Sequence, residues 1–137
     1  MAISYTFDHD LGLIRTAVAG DLTVEQTFEY FKRLSSDPDC PDAAIEIVDL
    51  SNVTDFSLQY SQLRSITQQY QPTKAIKQIL ATVFYCSSDL EYGIGRMLLV
   101  LHNMANPQHV VSLARSQEDL EQIVKELRSN KTPNQSF

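Results

Sequence analysis

The chain has 137 residues, 43% hydrophobic and 20% charged, which suits one soluble globular domain and is too short for two typical ones. Eleven basic residues against seventeen acidic ones leave a net charge of −6, with no Lys/Arg cluster dense enough to make a basic stripe. Nucleic-acid affinity depends on neutralising phosphates, so this balance argues against DNA or RNA as partner, and equally against an anionic membrane surface. No apolar run reaches the roughly 20 residues of a transmembrane helix. The opening "MAISYTFDHD" lacks the basic-then-apolar order of a secretory signal. Two cysteines are too few for a disulfide framework, so a reduced, cytoplasmic setting is expected.

In chain order, "ISYTF" (3–7) and "LIRTAVAG" (13–20) flank the turn-like "DHDLG" and read as an antiparallel hairpin. A helix follows in "GDLTVEQTFEYFKRL": Thr23 and Gln26 have capping-box spacing, and Val24, Phe28, Phe31 and Leu34 share a face. "SSDPDCPD" is a loop. "AAIEIVDL" (43–50) is the near-continuous apolar run of a strand covered on both faces, and "SNVTDF" reads as its connector. A second helix is expected from Ser57, its N-cap candidate, through Leu63, Ile66 and Tyr70 until Pro72. "IKQILATVFYC" (76–86) is the strongest strand signal. Ser88 and Glu91 then make a capping box for a third helix, whose Leu90, Ile94, Met97, Leu98 and Leu101 form the expected core face. "HVVSLA" (109–114) is the last strand. Ser116 caps a fourth helix with Leu120, Ile123, Val124 and Leu127 as its buried stripe. These elements predict a single α/β domain over 1–128, with a mixed sheet of about five strands and four helices. Residues 129–137 lack periodicity and are expected to be a disordered tail.

"YGIGRM" (92–97) invites comparison with a phosphate-binding turn. The third glycine of a dinucleotide fingerprint is missing, and the capping box puts Gly93 and Gly95 inside the helix, where amides are already bonded. No "GK[ST]" occurs either, so no nucleotide cofactor is expected. Each glycine still costs about 1 kcal/mol against alanine in a helix. Close packing on the sheet is one reason for that cost, and approach of a ligand or another helix is the other. Arg96 falls off the apolar stripe, as a solvated charge or the single cation of a pocket mouth.

His9, His102 and His109 have no metal-like spacing, and Cys40 and Cys86 form no CxxC. His9 reads as a turn residue and His102 as a cation suited to a helix C-terminus. Cys86 reads as a small buried hydrophobe and Cys40 as an exposed loop thiol. Among Glu46, Asp49 and Asp55, Asp49 closes a buried strand where open α/β sheets usually carry function, or else caps backbone amides of "DLSN". The six tyrosines and six phenylalanines are core residues or the lining of an apolar pocket.

"AIEIVDLSNVTDFSLQYSQLRSI" resembles the strand-loop-helix of STAS domains, the fold of bacterial anti-sigma-factor antagonists. "QILATVFYCSSDLEYGIGRMLLVL" and "VVSLARSQEDLEQIV" resemble small bacterial SpoIIAA-like proteins, with Gly93, Arg96 and Met97 standing for a Gly-x-x-Arg-Met pattern. That set is grouped with STAS and CRAL-TRIO lipid-binding domains. The resemblance therefore implies a non-enzymatic binding or regulatory module for a protein partner, a small apolar ligand, or both. Its pocket would lie between the second and third helices, with Ser57, Tyr92, Gly93, Arg96 and Met97 at the rim. The antagonists' phosphorylated Asp-Ser pair is absent, since Ser57 and Leu58 stand in its place; Ser57 and Ser61 remain phosphate-acceptor candidates. Two other functions are carried forward: a small enzyme using Asp49 or Asp55 as general base, and a structural homodimer pairing through the hairpin or the third helix.

Overall fold

The hairpin at the N-terminus sets the frame. In the computed structural model, which describes residues 3–56, 61, 79–105 and 107–130, β1 (Ile3–Asp8) pairs antiparallel with β2 (Leu13–Leu22). Gly12 closes the turn at φ 68°, a left-handed conformation that favours glycine. Then come α1 (Val24–Ser36), β3 (Ala44–Phe56), β4 (Ile79–Tyr85), α2 (Asp89–Ala105), β5 (Val110–Ala114) and α3 (Gln117–Asn130). The sheet order is β1-β2-β3-β4-β5, parallel from β2 onward. The result is a mixed five-stranded sheet with three helices among the described residues. The expected second helix, with Ser57, falls on residues outside them, as do 131–137.

Parallel neighbours taken in sequence need crossovers of one hand, which puts the crossover helices on one face. α1 and α2 accordingly cover the same side, where Tyr30, Leu34, Ile94 and Leu98 meet Ile14, Val48 and Phe84. Among the described residues, only α3, which follows the last strand, takes the other side, packing Leu120, Ile123, Val124 and Leu127 on Leu13, Ile45, Ile47 and Val83.

The caps form largely as their residues dictate. Thr23 Oγ1 accepts from the Gln26 amide (3.3 Å), but the Gln26 Oε1 is buried with no partner, so this box is half made. Ser88 Oγ accepts from the Glu91 amide (3.1 Å), and Glu91 reaches back to the Ser87 amide (3.0 Å), one residue before the expected partner. Ser116 Oγ receives the Asp119 amide (3.0 Å). α3 continues to Asn130, two residues into the expected tail.

Four expectations need correction. "SNVTDF" is not a connector: β3 runs on through it to Phe56, pairing with the second half of β2. Register shifts there break the two-residue alternation, which hides the strand from a pattern reading. Leu90 and Met97 lie outside the core face of α2, whereas Ile94 and Leu98 are buried. His102 is no helix-end cation, because burial and the neighbouring His109 push its pKa down to about 4. Cys40 is buried, not an exposed thiol.

Burial pushes the Cys40 thiol up to about 11, helped by the Asp37, Asp42 and Glu46 carboxylates, and burial also raises Cys86. At pH 8 only about a thousandth of Cys40 is thiolate, the reactive form. Native protein at that pH should leave both cysteines unreacted by a disulfide reagent, while denatured protein titrates two. Rapid labelling of either thiol in the native state would contradict this packing.

Candidate functional site

Among the described residues, one strand carboxylate is buried, and it is the centre of a chain of polar side chains. Glu46 interrupts an apolar strand, pairs in register with Thr82 and Ile14, and is buried on the face covered by α1 and α2. Thr82 Oγ1 donates to Glu46 Oε1 (2.8 Å), and the Tyr30 hydroxyl, from α1, donates to Glu46 Oε2. Thr16 Oγ1 lies 2.8 Å from the Tyr30 oxygen, and His109 Nε2 lies 2.9 Å from Thr82 Oγ1. His102, from α2, stands beside His109 with ring centroids 6.1 Å apart. The polar chain thus reaches from β2 to the start of β5.

Counting hydrogens fixes its direction when Glu46 is ionised. Thr82 and Tyr30 each own one hydroxyl hydrogen and give it to the carboxylate. Thr16 then donates to Tyr30, and His109 donates through Nε2–H to Thr82. A protonated Glu46 reverses one arm: it donates to Thr82 or Tyr30, which turns its own hydrogen outward to His109 or Thr16. Desolvation raises the Glu46 pKa, against the lowering effect of its Tyr30 and Thr82 bonds. Burial lowers His109.

The other singled-out residues lie elsewhere. Tyr92, Gly93, Arg96 and Met97 share α2, where the Arg96 guanidinium sits 5.9 Å from the Tyr92 ring centre. Arg115, which the sequence reading passed over, is closer to that ring at 4.4 Å and also pairs with Asp89 (3.0 Å). The two glycines differ. A Cβ on Gly95 would meet Leu113 Cδ2 at 3.2 Å and Cys86 Sγ at 3.3 Å, whereas one on Gly93 would meet nothing within 4 Å. Packing therefore accounts for Gly95 alone.

Asp49 is half-buried and accepts the Ser51 amide (2.8 Å) where β3 spends three residues against two of β2. Asp55 pairs through its backbone with Asp21, and its side chain lies outside the described residues. Ser61 is helical and exposed. No group of three or more His, Cys, Asp or Glu suited to a metal occurs among the described residues, nor does any helix long and apolar enough to cross a membrane.

Two predictions follow from this geometry. Gly93→Ala should stabilise the chain by about 0.5–1 kcal/mol in denaturant unfolding, while Gly95→Leu should destabilise it; equal effects would show that the two environments do not differ. The second concerns pH. Histidines with lowered folded pKa values contribute stability above 6.5 that is lost as pH falls toward 4. Glu46, with its folded pKa raised from 4.5, contributes in the opposite sense, its stabilising protonation being lost as pH rises. Glu46→Gln keeps the shape and a donor, so its melting temperature should drop more steeply than wild type between pH 6.5 and 4. Parallel profiles would show that Glu46 does not titrate in that window.

No protein-family model matches the chain, and no curated protein matches it. Among solved structures it is similar to an uncharacterized protein of the DUF3478 family with a SpoIIAA-like fold from Shewanella loihica PV-4. The two share 13% identity at a TM-score of 0.56, over 90% of this chain and 92% of that one. The chain has a SpoIIAA-like fold.

Proposed function

We propose that the protein is a non-catalytic binding module that pairs with a second copy of itself through the outer face of α2. The observation that carries this reading is an apolar seam left in water. Leu90, Met97, Val100 and Met104 are 61%, 36%, 49% and 60% exposed. With Gly93 they alternate by three and four residues, the spacing of a helix-pairing seam. Such a contiguous exposed stripe on a small domain marks an interaction surface.

The seam is self-complementary about Met97. An antiparallel copy sets Leu90 against Met104, and Gly93, with its open space, against the bulk of Val100. This supplies the reason for Gly93 that packing within the chain does not. A two-fold arrangement of this kind closes on itself. It also brings the two Arg96 side chains to the same rim, where they repel each other and salt screens them. A non-catalytic role is supported by Asp49, whose carboxylate is engaged by an amide of its own strand.

Sedimentation velocity across micromolar concentrations tests the pairing. A dimer is expected, tightened by added salt, and Met97→Glu or Val100→Glu should give folded monomers with unchanged circular dichroism. A wild-type monomer up to millimolar concentration, or a dimer indifferent to both substitutions, would overturn the reading.

A further inference from the structure

The opposite face of the sheet carries a second surface. α3 is the helix on that side among the described residues, and it covers β3 to β5 and Leu13 at the start of β2, leaving β1 and the rest of β2 beside it as an open shelf. Two adjoining depressions of about 300 and 210 Å³ lie in this step and share Arg15, Ile47, Gln117 and Leu120, so they form one groove along β2. A size of this order is that of small-molecule sites.

Its lining is divided. The floor is apolar, with Leu13 and Ile47 from the sheet and Leu120 and Val124 from α3. Arg15 stands where the two depressions meet and lines the one near the start of β2 together with Lys125 and Arg128, and none of the three has a hydrogen bond or ion pair among the described residues. Lys125 and Arg128 suit the C-terminal half of a helix in any case. Arg15 has no such reason, since it comes from a strand and faces the same groove. The acidic residue at this end, Glu121, is held by Gln117 (3.3 Å). At the far end Asp49 and Tyr85 line the wall, where a second anionic group would be repelled. Three free cations are a local inversion in a chain of net charge −6.

We propose that this groove binds a small amphiphile with a single acidic head. The head lies among Arg15, Lys125 and Arg128, and the tail lies on Leu13, Ile47, Leu120 and Val124. A charged head on unpaired cations gives orientation, and the apolar floor gives affinity. Asp49 restricts the ligand to one acidic end. The inference rests on the chain being a binding module but not on pairing through α2, which lies across the sheet.

Calorimetric titration of the full chain with decanoate, below its micellar concentration, tests it. Saturable binding at one site per chain is expected, with no binding of acetate and weaker binding of decanol. Arg15→Ala combined with Arg128→Ala, both exposed positions, should weaken decanoate at least about tenfold, since each removes a charge-assisted contact. Val124→Asp should abolish it while preserving circular dichroism. Met97→Glu should bind decanoate as wild type does, which separates failure of the groove from failure of the α2 face. Equal binding of decanol and decanoate, or full affinity in the double variant, would overturn the proposal. So would uptake by phosphatidylglycerol vesicles without binding of monomeric decanoate.

Discussion

The fold is organised around one carboxyl group that water cannot reach. Glu46 lies inside the sheet, on the side covered by α1 and α2, and a buried carboxyl without partners would cost several kcal/mol. Its partners come from α1 through Tyr30 and from β4 through Thr82, and theirs come from β2 through Thr16 and from His109 at the entrance to β5. A slip of one residue in either β3 pairing would turn Glu46 away from them and leave those polar groups unpaired. Apolar packing of Ile, Val and Phe tolerates more variation in register than this chain of hydroxyls does. The polar chain therefore specifies an arrangement that hydrophobic burial stabilises.

The same side of the sheet holds a carboxyl and two imidazoles with displaced proton affinities, and acid and bases are displaced in opposite senses. Glu46 is favoured in its neutral acid form and both His102 and His109 in their neutral base form. Desolvation is the common cause: low polarizability penalises any charge, whatever its sign. Burial thus shifts each of the three groups toward its uncharged form. Thr82 joins the acid to one of the bases, so a proton that Glu46 donates to Thr82 is felt at His109 as a change in which nitrogen carries hydrogen.

Much of this was legible in the residues. The hairpin, the Ser88 and Ser116 caps and the alternation of strands with helices all follow from local chemistry, and the resemblance to SpoIIAA-like proteins led to the right fold. What escaped is non-local. The second half of β3 is polar and β-bulges interrupt its alternation, so Ser51, Asn52 and Thr54 read as a loop, although Asn52 pairs with Ala19 of β2 and Ser51 and Thr54 are the extra residues at the two register shifts. Leu90 and Met97 satisfy helical periodicity as well as Ile94 and Leu98 do, and which side of a broad apolar helix meets the sheet is decided by packing alone. Cys40 sits in a loop rich in Asp and Pro, yet the loop folds back over the core. The buried chain did leave a signal: Glu46 within "AAIEIVDL" and Thr82 within "ILATVFY" are polar residues in strands covered on both sides. Such residues have to find partners on the same face.

Topology explains why the α2 seam and the β2 groove occupy opposite sides. Right-handed crossovers gather helices on the Glu46 side, so α2 has neighbours beneath it and an apolar flank left over, the seam running from Leu90 to Met104. The other side receives α3 after the last strand, the one helix there among the described residues, and it is too narrow to cover five strands. Seen this way, the groove beside β2 is a direct consequence of connectivity, and what distinguishes it from a packing defect is chemistry. Arg15 could have been a small polar residue at no cost to the fold. Its placement opposite Lys125 and Arg128, above an apolar floor, concentrates positive charge in a protein otherwise acidic. Because α2 lies across the sheet from this groove, pairing through the seam leaves it open in both copies, with Ile47 and Glu46, adjacent in β3, facing the ligand shelf and the polar core respectively.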